Sequence, residues 1–300
     1  MTLRERRSHA HFTADVRAPG ITIAEGIRIT EIPQEFFEST AAMLSEYTVG
    51  FLRIEDGPNG QEAVLLGSGT LVKVGDVHAI LTAHHVVEVL PKTGRLGLIL
   101  TPQLQRYTVD TQGLDYRRIA RGTNNAEGPD LGAVILTPSI VTSISAKKRF
   151  YDLTARQGEM LSGPIDIERG VWFVQGFPNE KTVVEPGRGG YSQIKGFCNF
   201  GGAGRPNERP SVREGHDYIR FPISGASPQM PGSYKGMSGG GLWQVPVTGD
   251  STSNIRSKVP LLVGVVFYQN IESEGPCDLL CHGPESVYRV AYNAISRTEP

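Results

Sequence analysis

Three short stretches carry side chains whose types can combine into one reaction. In GMSGGG, residues 236–241, Ser238 stands among glycines. Glycine removes side chains that would obstruct an approaching substrate and permits the tight turn that aims successive backbone N–H groups at one point. A serine so placed can attack a carbonyl while the amides of Gly236 and Ser238 hold the developing oxyanion. Its hydroxyl needs a base, and LTAHHVV, residues 81–87, offers His84 and His85 where an apolar run ends. The base in turn is oriented by a carboxylate. PDLGAVIL, residues 129–136, supplies Asp130 just before an apolar run, where a carboxylate can lie half-buried beside an imidazole. Asp110 and Asp115 are further acids, but neither precedes an apolar strand as cleanly. Each piece taken singly also has a plainer reading. Ser238 can be a bystander in a glycine hairpin, and Asp130 an ordinary turn residue.

Other chemistry is thinner. Cys277, Cys281 and the adjacent His282 have the residue types of a metal cluster, but a structural zinc site needs four ligands at a known spacing. They read first as loop thiols, and no metal or other cofactor is expected. With Cys198 they make three cysteines, an odd number that cannot all pair within the chain and that suits a reducing compartment. The net charge of −1, from 30 basic and 31 acidic residues, provides no global field to attract nucleic acid or an anionic membrane. No run approaches the roughly 20 apolar residues of a membrane span. The opening MTLRERRSHAHFTADVRAPG has no apolar segment behind its basic residues, unlike a secretory signal. A cytoplasmic protein without membrane or nucleic-acid partners is the expectation.

The elements that must position these residues are mostly strands. The chain has 36 Gly and 20 Pro among many short runs rich in Val, Ile, Thr and aromatics, the composition of an all-β protein with many turns. TVGFLRI, EAVLLGSGTLVKV, VHAILTA, LGLIL, LGAVIL, VWFVQGF, DYIRFPI, GLWQVPV and LLVGVVFY read as strands, and the absence of alternating helices implies antiparallel barrels or a sandwich. One helix is expected over residues 33–47, with Pro33 in its first turn and Phe36, Phe37, Ala41, Met43 and Leu44 as its apolar members. Residues 198–215 read as a long Gly- and Pro-rich loop. SVYRVAYNAISR reads as a closing strand running into a short helix. At 300 residues the chain fits two compact halves with an extension.

The order His, Asp, Ser, with a strand-end TAxH, a DLxxxxL strand and GxSGG before an apolar strand, resembles the trypsin-like, chymotrypsin-fold serine peptidases of bacterial type. GSGTLVKV is similar to the strand before the histidine strand in that family, and VQGFP, residues 174–178, to the start of its second barrel. The resemblance covers residues 45–297. It implies two antiparallel six-stranded β-barrels with the site in the cleft between them. Residues 1–44 would be an N-terminal extension with a helix, 45–150 the first barrel and 151–300 the second, ending in a short helix. By family register His85 is the base, Asp130 its orienting acid and Ser238 the nucleophile of an endopeptidase that passes through an acyl-enzyme. His84 then occupies the place of a small residue.

Two further implications concern activation and specificity. In digestive relatives an aspartate before the serine pairs with a newly cut N-terminus; Met237 stands there and can make no salt bridge. Activation by N-terminal cleavage is therefore not expected: the chain is competent without cutting, or loop ordering or a regulatory protein partner controls it. The same register puts the floor of the primary pocket near Gly232 and Ser233, and its walls near Phe267, Tyr268, Gln269 and Ser286. No acid lies at that floor and Val266 replaces a histidine of glutamate-specific relatives, so a neutral side chain of a peptide or protein substrate is expected. The alternatives are an esterase using the same residues and a latent or inactive peptidase-fold effector that binds through the groove.

Overall fold

The computed structural model describes residues 22–24, 27–28, 31–57, 60–100, 106–124, 126–186, 193–197, 200–223, 231–248, 255–271 and 277–297. Within them the β-rich runs of the first half become strands β1 (Thr48–Gly57), β2 (Gly60–Val74), β3 (Val77–Thr82), β4 (Arg95–Ile99), β5 (Arg106–Asp110), β6 (Asp115–Arg121) and β7 (Asp130–Ile135). They form one sheet in the order β5-β4-β1-β2-β3-β7-β6, antiparallel along that path, with Tyr151–Asp152 added in parallel to β2. The second half contributes β8 (Val171–Gly176), β9 (Phe200–Gly204), β10 (Ser211–Arg213), β11 (His216–Ile223), β12 (Gly241–Val245), β13 (Leu261–Ile271) and β14 (Cys277–His282). Their order is β9-β8-β12-β13-β14-β11-β10.

Neither sheet is a closed six-stranded barrel, contrary to the expectation. β5 and β6 are opposite edges of the first sheet, and no ladder joins them among the described residues. They are nevertheless consecutive in the chain, linked by residues 111–114. Five residue steps reach at most roughly 18 Å, whereas a flat path of seven strands would hold its edges roughly 29 Å apart. The sheet must therefore curl, with a tight turn spanning its gap in place of backbone pairing. The second sheet has the same economy. Its edges β9 and β10 are also consecutive, and a Cβ on Gly204 of β9 would lie 3.0 Å from the Phe221 ring of β11.

Helices are short and few: α1 (Gln34–Ser45), α2 (His84–Val89), α3 (Pro138–Ser145), α4 (Leu153–Met160) and α5 (Tyr292–Ser296). α1 buries Phe36, Phe37, Thr40, Ala41 and Leu44. It sets Phe37 6.2 Å from Phe173 of β8, so the N-terminal helix closes the second sheet's core. Two expectations about individual segments fail. Phe200–Gly204 is a strand rather than loop, paired with β8, because its glycines admit close neighbours: a Cβ on Gly201 would meet Gln175 Nε2 at 2.6 Å and Ala41 at 3.1 Å. SVYRVA, residues 286–291, is a π-helical turn running into α5, not a strand. Its buried Val287, Tyr288 and Ala291, with Ile295 beyond, recur at helical and not alternate spacing.

The core is shared across the two sheets. Val72, Leu81 and Ala133 of the first pack in one cluster with Phe173, Trp243 and Val265 of the second. A second cluster joins Phe51, Ile80 and Val134 to Tyr218 and Phe267. Burying side chains of this size contributes about 1.5–3 kcal/mol each.

Candidate active site

β3 runs out at Thr82, and α2 starts two residues later. Consecutive positions at a helix start diverge by about 100°, so the two histidines part company. His84 turns inward, with 7% of its side chain exposed, and His85 turns outward with 43% exposed. β7 pairs with β3 so that Thr82 stands opposite Gly132, which brings the first residue of β7, Asp130, alongside the start of α2. Gly132 has no side chain because a Cβ there would meet Val87 at 2.7 Å. The Asp130 carboxylate then holds His85 twice. Its Oδ2 lies 2.5 Å from His85 Nδ1, and its Oδ1 accepts the His85 amide at 2.9 Å.

This carboxylate is 7% exposed. Burial alone would push its pKa up, but the bonds and charge of His85 outweigh burial and hold the group below the ordinary carboxylate value. A third contact fixes it from behind, where the Asp130 amide donates to Nε2 of His282 at 3.0 Å. His282 is completely buried and its pKa is pushed down to about 3 by desolvation and by the neighbouring His216. His84 is different: its Nδ1 has no hydrogen bond among the described residues, with Glu88 Oε2 3.8 Å away, and burial lowers its pKa. An unpaired buried polar atom of this kind costs about 1–3 kcal/mol.

Ser238 arrives on the turn that precedes β12. Gly236 and Gly239 have φ of 99° and 93°, which glycine alone adopts freely, and a Cβ on Gly239 would stand 2.0 Å from the Ser68 carbonyl. The turn's own bonds use the amides of Met237, Gly239 and Gly240, which donate to Tyr234, Val266 and Met237 carbonyls at 2.7–2.9 Å. The amides of Gly236 and Ser238 have no hydrogen-bond partner among the described residues. The first sheet holds the rest. Ser68 of β2 donates its hydroxyl to Gly236 O at 2.7 Å, accepts the Phe177 amide at 2.8 Å, and donates its own amide to Ser238 O at 2.8 Å. Thr70 Oγ1 donates to Gly239 O at 3.1 Å, and Thr82 Oγ1 to Ser68 O at 2.7 Å. Met237 is fully buried beneath this turn, its sulfur against Gly176.

The two halves abut at Gly67. A Cβ there would meet Val86, next to His85, at 2.7 Å and the Ser238 carbonyl at 3.3 Å. The Ser238 hydroxyl donates to Phe267 O at 3.4 Å; among the described residues it makes no hydrogen bond to His85. Phe267 is the extra residue of a β-bulge between the Val266–Cys281 and Tyr268–Leu280 pairs, a distortion that turns its carbonyl toward the serine.

The expected pocket residues separate. Gly232 and Ser233 donate their amides to the carboxylate of Glu180 at 3.1 and 2.7 Å, and Gln269 Oε1 accepts from the Tyr234 amide at 2.8 Å, so these lie together beside the serine turn. Tyr268 is half-buried. Phe267 turns its ring into the core, 4.7 Å from His282, and Ser286 is fully buried with its hydroxyl donating to Asp217 Oδ1 at 2.8 Å. An acid absent from the expected floor thus arrives from elsewhere. The Gly232 and Ser233 amides keep Glu180 below the ordinary carboxylate value.

Ser68, Thr70, Thr82, His282 and Glu180 are polar groups at this site that sequence reading missed as such. Ser68 and Thr70 did leave a trace, two hydroxyls at alternate positions of one strand and therefore on one face. Cys281 is buried with its thiol pKa pushed up, and His282 uses its Nε2 on Asp130. Among the described residues no three His, Cys, Asp or Glu side chains gather as a metal set. Cys198 and the Cys277 side chain lie outside the described residues. No helix among them is long and apolar enough to cross a membrane.

No family model and no curated protein matches the chain. Among solved structures it is similar to the HtrA-type protease AlgW with a decapeptide, at 14% identity and a TM-score of 0.42, over 86% of this chain and 66% of that one. It is also similar to the active form of the Rv3671c protease from M. tuberculosis, at 14% identity and a TM-score of 0.40, over 95% of this chain and 93% of that one. This chain spans 66% of the length of the first.

Proposed function

We propose that this chain is a serine peptidase that cleaves peptide bonds through an acyl-enzyme. His85, held in one tautomer and orientation by Asp130, takes the proton of Ser238 as its oxygen attacks the carbonyl. The amides of Gly236 and Ser238, free of other partners among the described residues, receive the oxyanion. His85 then returns the proton to the leaving amine, and water releases the acyl group from Ser238 by the same route. The observation that carries this reading is the pair of hydrogen bonds from His85 to Asp130, ring and amide together, beside a glycine turn that presents Ser238. Gly232, Ser233, Tyr268 and Gln269 are the side of the cleft that receives the substrate residue, in a cytoplasmic setting.

A second reading has its own observation. The Ser238 hydroxyl points to Phe267 O and not to His85, as in a resting site that a partner protein or substrate completes. Labelling with a fluorophosphonate separates the two. Wild type that labels, with loss in Ser238→Ala and His85→Ala and retention in His84→Ala, supports the active peptidase. A silent wild type that labels once peptide or partner is added supports the latent form. Parallel assays on an amide and an ester of one peptide decide between peptidase and esterase.

A further inference from the structure

From the placement of His282 we infer that it is the positioning residue of this site, seating Asp130 through its backbone so that the carboxylate meets His85 squarely. The inference deepens the peptidase reading and rests on it for the consequence in turnover, though not for the geometry.

His282 ends β14, the strand paired with both β11 and β13, so its backbone is fixed opposite Tyr218 and Val265. Its ring lies against Phe267 at 4.7 Å and near Tyr218 at 5.5 Å, with no exposed surface. Nε2 accepts the Asp130 amide proton, so the neutral ring carries its own proton on Nδ1. That Nδ1 has no partner among the described residues, nor does Nε2 of the neighbouring His216, whose ring centroid is 6.0 Å away. A packing role alone would be served as well by a phenyl ring, which brings no buried polar atom needing a partner. What phenyl cannot supply is an acceptor for the first amide of β7. With that acceptor present, one aspartate is gripped at its amide by the second sheet and at its carboxylate by the first. The same ring stacks on Phe267, whose carbonyl takes the Ser238 hydroxyl. His282 therefore sits between the acid and the serine's resting contact without touching any reacting atom.

The test compares wild type with His282→Phe, which keeps a ring and loses the acceptor, and His282→Gln, whose side-chain carbonyl restores one. His282→Met replaces the first variant if it does not fold. The direct readout is the low-field proton NMR signal of His85 Nδ1–H, assigned by its absence in His85→Ala. The inference expects that signal to shift upfield or vanish in His282→Phe and to persist in His282→Gln. The fluorophosphonate labelling rate and kcat should fall between about tenfold and 10²-fold in the Phe variant with KM little changed. An identical signal in all three proteins, or no such signal in the wild type, overturns the inference. If the signal responds as expected while the wild type never labels, it is the peptidase reading that falls and the positioning role that stands.

Discussion

The two halves of the site are built by opposite means. The half that carries His85 and Asp130 belongs to one sheet: a strand end and a helix start face a strand start, and a buried carboxylate grips one residue by ring and amide. The half that carries Ser238 is a glycine turn of the other sheet with few bonds of its own. Its shape is imposed by uncharged donors of the first sheet, chiefly Ser68 and Thr70. An aspartate beside the serine would hold such a turn by charge; buried Met237 holds it by packing beneath a hydroxyl cradle. On the proposed mechanism the first half sets a protonation state and the second a geometry, and the two should fail in different ways.

Asp130→Asn attacks the first half alone. It keeps the shape and removes the charge that selects the His85 tautomer, so kcat should drop about 10⁴-fold. A loss under tenfold would remove Asp130 from the chemistry. Ser68→Ala attacks the second half alone. Freeing the Gly236 carbonyl and the Phe177 amide should cost about 10²–10³-fold in kcat, as loss of an oxyanion donor does. The low-field proton of His85 should stay in place in that variant, and its disappearance would show that the halves are not independent.

Acid should weaken the seat of Asp130. Asp130 sits below its ordinary pKa, so its contribution is present above that value and is lost as pH falls through the folded one. His282, held down to about 3, works in the same direction: from pH 6.5 to 3 the unfolded chain binds a proton that the folded one refuses. Stability should therefore fall with pH across that window, on the order of 2 kcal/mol by pH 5 from His282. Urea titrations at pH 7 and 5 measure it, and His282→Phe should flatten the difference. The smallest effect is expected from His84→Gln. With its ring turned inward and no hydrogen bond to Asp130, it should leave labelling within about twofold. A silent His84→Gln would reverse the choice between the histidines.

The sequence marked candidate groups more readily than it marked the architecture. Residue types and order marked Ser238, Asp130 and the histidine pair, because a nucleophile in glycines and an acid at a strand start are local patterns. The strand-rich character was equally legible, and so was the apolar face of α1. The glycine run at 200–204 was not, because its glycines read locally as loop and are explained only by the nearness of Gln175 and Ala41. Residues 286–291 misled for a related reason: a six-residue segment with four apolar members fits either period until its partners are known. Nor could the closure of the sheets be read, since a turn joining two edges looks the same whether or not a ladder forms between them.

By itself, then, the sequence determined which groups this site can use, because hydroxyl, imidazole, carboxylate and glycine are properties of single residues and their neighbours. Only the tertiary structure decided how they are held. Ser68 meets Gly236 from 168 residues away and His282 meets Asp130 from 152, and contacts so distant leave no mark on local spacing. The inward turn of His84 and the outward turn of His85 were settled likewise, by a β3–β7 register that sets Asp130 beside one of them.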